Sequence, residues 1–277
     1  MKAKVFYILA LVFSLAVSSC SEYTKLQKSG DNDLKFAKAK EYYEKGKYLN
    51  AASLLESVVH SFRGTEKGEE ALFLLAKCHL MNEDYMTARS YFSGYHRSYP
   101  RGRYAEQSKF YVGYCYYKDS PEVKLDQTST KKAVEELNLF IDIYPQSAKV
   151  PEAQSIIQEM NDKLAYKAYL NAKLYFNLGN YMGNNYESAV IVAKNAIKDY
   201  PYSKYKEELE LLVLKARYQE ASQSVDEKKA DRFRVVLDEY YSYINNYPDS
   251  PNKPEQAYRL SANGLERWAQ LTTTNMQ

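Results

Sequence analysis

Apolar residues recur along most of this chain at the three- and four-residue steps of an amphipathic helix. One stripe joins Ala153, Ile156, Ile157, Met160 and Leu164, and Ala168, Ala172, Tyr175 and Phe176 continue it. This predicts a helix of unusual length over 151–181, broken by Gly183 and Asn184. Shorter helical segments elsewhere end on an aromatic followed by a turn. The stops are Phe62-Arg63-Gly64, Tyr99-Pro100-Arg101-Gly102, Tyr144-Pro145-Gln146-Ser147, Tyr200-Pro201-Tyr202-Ser203 and Tyr247-Pro248-Asp249-Ser250. The first two lie 37 residues apart and the later intervals are 45, 56 and 47. A repeat of that size points to stacked helix pairs, since one pair cannot bury its apolar face alone.

The segments fit the tetratricopeptide pattern, in which small residues let paired helices approach and proline ends the second. Ala76, Tyr85, Ala88, Phe92 and Pro100 occupy its positions in the second unit. Ala39, Tyr42, Gly46, Tyr48, Ala51 and Leu55 do so in the first, where Arg63 replaces the proline and Gly64 supplies the turn. Gly113, Tyr116, Ala133, Leu137 and Pro145 make the third, with an insertion expected to loop out from Asp119 to Thr130. Tyr186, Ala189, Ala193, Ala196 and Pro201 belong to the fourth, and a fifth runs from about Glu207 to Pro248 with a loop or helix extension at Ser222–Lys229. Ala257, Leu260, Ser261, Gly264, Leu265 and Trp268 form a last face, expected to cap the stack. The predicted fold is all-α, a tetratricopeptide-type α-solenoid of about five helix pairs with a C-terminal capping helix.

The chain's first apolar run is too short to span a bilayer and has a different meaning. Phe6 to Val17 follows Lys2 and Lys4 and leads through Ser18 and Ser19 to Cys20. This is a secretory signal, and Leu15-Ala16-Val17-Ser18-Ser19-Cys20 resembles a bacterial lipobox, whose cysteine receives a diacylglycerol and an N-acyl chain. The expected layout is signal peptide 1–19, lipidated tether 20–32, repeats one to three over 33–149, repeats four and five with the cap over 150–271, and a tail 272–277. Ser21 rather than Asp follows the cysteine, and only Glu22 is acidic there. The expected address is the periplasmic leaflet of the outer membrane.

Composition narrows the function. Loss of Lys2 and Lys4 from 38 basic residues leaves one more base than the 35 acids, so no electrostatic case for nucleic acid remains. Twenty-nine tyrosines stand against 10 phenylalanines, which suits packing faces whose rings are buried at one end and wet at the other. His60, His79 and His96 make no metal-binding pair, and no phosphate loop or nucleophile elbow is present. The reading is a protein without catalysis or cofactor apart from the acyl chains on Cys20. Cys78 and Cys115 hold equivalent places in successive repeats, too far apart for a disulfide and expected as buried thiols.

In the repeat register, Phe36, Phe73 and Phe110 line the inner groove at 37-residue intervals, followed by Lys40, Lys77 and Tyr114 and by Tyr43, Leu80 and Tyr117. Such a groove suits a peptide bearing aromatics and a carboxylate; plain packing between helices is the alternative.

The order of these parts resembles the BamD family of outer-membrane β-barrel assembly lipoproteins, in its Bacteroidetes-like branch. The likeness rests on the lipobox, on Ala37-Lys38-Ala39-Lys40-Glu41-Tyr42-Tyr43 with Gly46-Lys47-Tyr48-Leu49-Asn50-Ala51-Ala52, on Phe140-Ile141-Asp142-Ile143-Tyr144-Pro145-Gln146-Ser147, and on the run Asp162-Lys163-Leu164-Ala165 to Ala172-Lys173-Leu174-Tyr175-Phe176. It implies a non-catalytic scaffold that receives unfolded outer-membrane proteins on its N-terminal repeats. The C-terminal repeats would bind the POTRA domains of a BamA-like barrel protein. Lys194, Lys198, Lys204 and Arg217 are then the candidate contacts, although an arginine of the family has no counterpart in Val190-Ile191-Val192-Ala193-Lys194. A different lipid-anchored repeat adaptor, serving cell-wall or polysaccharide-export proteins, is the competing reading.

Overall fold

The computed structural model describes residues 23–252. Cys20 and the expected capping helix lie outside them. Helical residues 23–28 lead into α1 (Asn32–Glu44), α2 (Tyr48–Val58), α3 (Glu66–Met81), α4 (Tyr85–Ser98), α5 (Ala105–Lys118), α6 (Thr128–Ile143), α7 (Val150–Leu178), α8 (Asn185–Asp199), α9 (Lys206–Ser222) and α10 (Asp226–Asn246). Among the described residues there is no strand, so the all-α repeat reading holds. No described helix is long and apolar enough to cross a membrane.

The chain divides into two compact units, Met1–Ser120 with Thr128–Gln154, and Pro121–Gln127 with Ser155–Gln277. In the first, α1 to α6 pack each against its neighbour in sequence; in the second, α8, α9 and α10 do the same. Small residues sit where helices cross: Ala39, Ala51, Ala76, Ala88, Ala133, Ala189 and Ala193 are fully buried. Gly113 shows how close the approach is, because a Cβ there would lie 2.6 Å from Leu137 Cγ. Large side chains fill the layers between, with Phe92, Tyr95, Phe110 and Phe140 buried in the first unit. Each contributes roughly 1.5 to 3 kcal/mol through the area it removes from water.

The aromatic stops share one geometry. Tyr99, Tyr200 and Tyr247 leave their helices at φ/ψ of −133/63, −129/61 and −132/62 degrees. The following proline excludes the helical region for the residue before it. Each stop then closes a turn in which the third residue after the aromatic donates its N–H to the aromatic's carbonyl: Thr65 to Phe62, Gly102 to Tyr99, Ser147 to Tyr144, Ser203 to Tyr200 and Ser250 to Tyr247. The first stop lacks proline and uses Gly64 at φ 81°. Helix starts are capped in a complementary way, by Asp31, Thr65, Asp84 and Asn184 side chains accepting backbone N–H groups.

An acid on an earlier helix ties most of these turns down. Glu69 accepts from Arg103 N–H and from the Tyr95 hydroxyl, Glu106 from Ser147, Asp162 from Lys204 N–H at 3.0 Å, and Glu207 from Ser250 and the Tyr243 hydroxyl. Ser147 and Ser250 are thus donors to a carboxylate about 40 residues upstream, a role their place in the turn alone does not reveal.

Two details differ from the sequence reading, and a third settles an alternative it left open. The long helix ends at Leu178, because Gly179 adopts φ 57°. The stretch after Ser222 is a helix extension, since α10 begins at Asp226 after a turn of three residues. Residues 23–28 of the expected tether are folded: Tyr23 meets Tyr42 edge-on at 5.6 Å and donates to the Asn50 carbonyl, while Gln27 donates to Ser53 at 2.8 Å. The insertion in the third repeat does loop out between α5 and α6. Its residues 121–127 belong to the second unit, where Gln127 is buried with its amide on the carbonyls of Glu122 and Leu125, and Lys167 donates to Leu125.

Candidate functional site

In the first unit, α3 and α5 run beside the residues that open α7. Their side chains enclose a concavity of about 330 Å³ lined by Lys77, Leu80, Met81, Glu83, Tyr85, Tyr111, Tyr114, Lys118, Lys149 and Glu152. Three ammonium groups converge here on three phenol rings. Lys77 donates to the Tyr111 hydroxyl at 3.1 Å and lies 4.3 Å from that ring's centre. Lys149 stands 5.1 Å over the Phe110 ring and pairs with Glu152 at 2.6 Å. That bond, set first against a smaller burial cost, raises the Lys149 pKa. Lys118 is exposed at the rim and makes no ion pair among the described residues. The site can hold an aromatic side chain against the rings and a carboxylate against the lysines.

Of the predicted groove residues, Lys77, Leu80 and Tyr114 come together here, and Tyr117 rests against Tyr114 with ring centres 5.8 Å apart. The phenylalanine ladder is not an exposed surface. Phe36 and Phe110 keep only 5% and 1% of their surface, packed edge-on against Phe62 and Phe140 respectively. Phe73 is partly buried and stacks on Tyr104 at 4.3 Å. The register position faces the seam between helices, so large apolar side chains there are claimed by the core. Lys40 and Tyr43 belong to the first repeat, apart from the concavity: Lys40 bridges to Glu70 at 3.2 Å and covers the Phe36 ring, and Tyr43 packs on Tyr48.

Tyr85, Tyr111, Lys118 and Lys149 escaped the sequence reading. Lys118 was legible as one turn beyond Tyr114 on the same helix face. Lys149 was not, because it precedes α7 and reaches the site only through the fold.

The two thiols are confirmed as free and buried, and burial pushes Cys78 and Cys115 up to about 12. Neither is a nucleophile at neutral pH. His79 stacks on Tyr91 at 5.3 Å and faces Asp84 at 3.2 Å, a packing role. No group of three or more metal-ligating side chains exists among the described residues.

The second unit presents its cations differently. Arg217 pairs with Glu220 at 2.9 Å, and Glu220, buried, also takes Arg232 at 3.4 Å and the Asn184 amide at 2.9 Å. Arg217 is half-buried and committed to Glu220, so less of its charge is left for a partner. Lys194 pairs with Glu239 across to α10, while Lys198 is exposed beside it; both line a shallow concavity of about 320 Å³ with Ile197, Glu210, Ser242 and Tyr243. Lys204 is exposed at the fourth stop, over the Tyr205 ring at 5.4 Å.

A putative outer membrane protein assembly factor BamD of Aquifex aeolicus is 24% identical, covering 94% of this chain and 90% of its own. The outer membrane protein assembly factor BamD of Caulobacter vibrioides is 20% identical, over 62% of this chain and 58% of its own. A solved chain of kinesin light chain TPR-like repeats shares 13% identity over 75% of this chain and 93% of its own, with a TM-score of 0.33. The family model described as YfiO, outer membrane lipoprotein, matches residues 29–184, which span α1 to α7 in full. The chain belongs to the YfiO family of outer membrane lipoproteins.

Proposed function

We propose that the protein is a non-catalytic scaffold for outer-membrane protein assembly, anchored by acyl chains on Cys20 in the periplasmic leaflet. Family membership and the two assembly-factor relatives support the general role. The observation that carries the mechanism is the concavity of Lys77, Lys118 and Lys149 around Tyr85, Tyr111 and Tyr114. An unfolded barrel protein whose chain ends in an aromatic residue and a free carboxylate would place the ring on the tyrosines and the charge among the ammonium groups. Burying one such ring contributes about 1.5 to 3 kcal/mol, and association costs offset much of it. Binding is therefore micromolar or weaker and falls with salt.

The second unit is assigned the BamA-like partner, through its POTRA domains. Exposed Lys194 and Lys198 beside the half-buried Ile197 offer a mixed surface for it, and Lys204 extends it at the fourth stop. Co-purification from detergent extracts separates this role from that of another lipid-anchored adaptor. Recovery of a BamA-like barrel protein is the expected result, and recovery of cell-wall or polysaccharide-export proteins alone would overturn it.

A further inference from the structure

A second basic concavity lies among the first of the described residues. Its volume is about 530 Å³, and its lining includes Lys25, Lys38, Lys45 and Lys47 with Glu41 as its one acid. Glu41 cannot neutralise the cluster, because Lys38 at 3.0 Å and Lys45 at 4.0 Å already share it. Lys47 leans over the Tyr42 ring at 5.9 Å, and Lys25 is exposed and makes no ion pair among the described residues. Leu26 and the exposed Leu34 give the concavity an apolar side.

Its position follows from the folded lead segment. Tyr23 is locked against Tyr42 and Asn50, at the corner where α1 turns into α2 and where Lys45 and Lys47 stand. Cys20 precedes Tyr23 by three residues, and three residues reach at most about 11 Å. An acylated Cys20 would hold Tyr23, and with it the corner Tyr23 packs on, within about 11 Å of the anchor point. We propose that the Lys25, Lys38, Lys45 and Lys47 cluster is a docking site for the phosphates of anionic phospholipid headgroups, fixing the first repeat on the leaflet that carries the acyl anchor. The inference rests on the lipidation reading for its location. Its chemistry does not, because lysines near an anionic surface each gain about five-fold in binding regardless of how the chain is tethered.

The test uses the mature-length chain carrying Cys20→Ser, so that acyl insertion does not mask the electrostatics. Flotation at low salt compares vesicles of phosphatidylcholine alone with vesicles containing one third phosphatidylglycerol. Lys25→Gln, Lys38→Gln, Lys45→Gln and Lys47→Gln are combined in one variant, and a control variant removes Lys124, Lys131, Lys215 and Lys228, four exposed lysines elsewhere. Circular dichroism verifies that both fold. The expected result is preference for phosphatidylglycerol, lost by about ten-fold or more in the cluster variant and much less in the control. Equal loss in both variants would reduce the effect to net charge and overturn the proposal, as would equal binding to both vesicles. Labelling of the native chain with a fatty-acid analogue reports separately on Cys20, so failure of the anchor and failure of the headgroup site are told apart.

Discussion

Two cationic clusters, one in each unit, handle positive charge in opposite ways. In the first, Lys77, Lys118 and Lys149 face a concavity among tyrosine rings, and only Lys149 is committed to a carboxylate, its near neighbour Glu152. In the second, Arg217 and Arg232 turn onto the buried Glu220, and Lys194 reaches Glu239. Arg217 and Arg232 thus act as struts on a buried acid, whereas Lys77 and Lys118 make no ion pair among the described residues. What separates them is the burial of the acid. A carboxylate removed from water must be fully paired and holds its cations, whereas a rim carboxylate leaves them available.

The sharpest way to break this contrast is Arg217→Met. It leaves Glu220 buried on Arg232 and Asn184 alone and is expected to cost about 3 kcal/mol in denaturant unfolding; a change below 0.5 kcal/mol would mean that Glu220 relaxes to water. Gly113→Ala probes the first unit instead. Its Cβ would lie 2.6 Å from Leu137 Cγ and 3.2 Å from the Leu137 backbone nitrogen, so the helix crossing must open. Overpacking of this kind costs about 1 to 3 kcal/mol, and peptide binding at the neighbouring concavity should weaken along with the melting temperature.

The smallest effect is an acid one. The hydrogen bond from Ser250, joined by those from Tyr243 and Asn252, holds the Glu207 pKa below its ordinary value against a smaller burial cost. A carboxylate with a depressed folded pKa stabilises fully above its unfolded value of about 4.3, and the contribution is lost as pH falls through the folded value. Ser250→Ala removes the main cause, so loosening of the last stop should begin at a higher pH. Proton exchange of the Tyr247–Ser250 turn between pH 5 and 3 reports it, and identical profiles would separate the serine from the carboxylate.

The fold was legible because its signals are local. Tyr-Pro pairs exclude helix at the aromatic residue whatever surrounds them, and alanines at crossings recur with the repeat. The third-repeat insertion could be counted from Gly113 to Ala133. The candidate site was less legible. Register brought Lys77, Leu80 and Tyr114 to one concavity, but it could not say that Phe36 and Phe110 turn into the seam, because exposure depends on what the next helix brings. Lys149 and Glu152 lie outside the repeat positions altogether and join the site through the start of α7. The acids that hold the stops, Glu69, Glu106, Asp162 and Glu207, were silent for the same reason: each lies between 26 and 43 residues from the hydroxyl or turn N–H groups it accepts from.

Peptide titration tests the central contrast most directly. A fluorescent peptide ending in phenylalanine with a free carboxylate is titrated into the native chain, a Lys77→Gln/Lys118→Gln variant and a Lys194→Gln/Lys198→Gln variant, with the amidated peptide as a control. The account predicts micromolar-range binding that weakens about ten-fold on amidation and by a similar factor in the first variant, with the second variant unchanged, as charge pairing worth about 1.4 kcal/mol requires. Equal affinity of the free and amidated peptides, or a loss confined to the second variant, would contradict it.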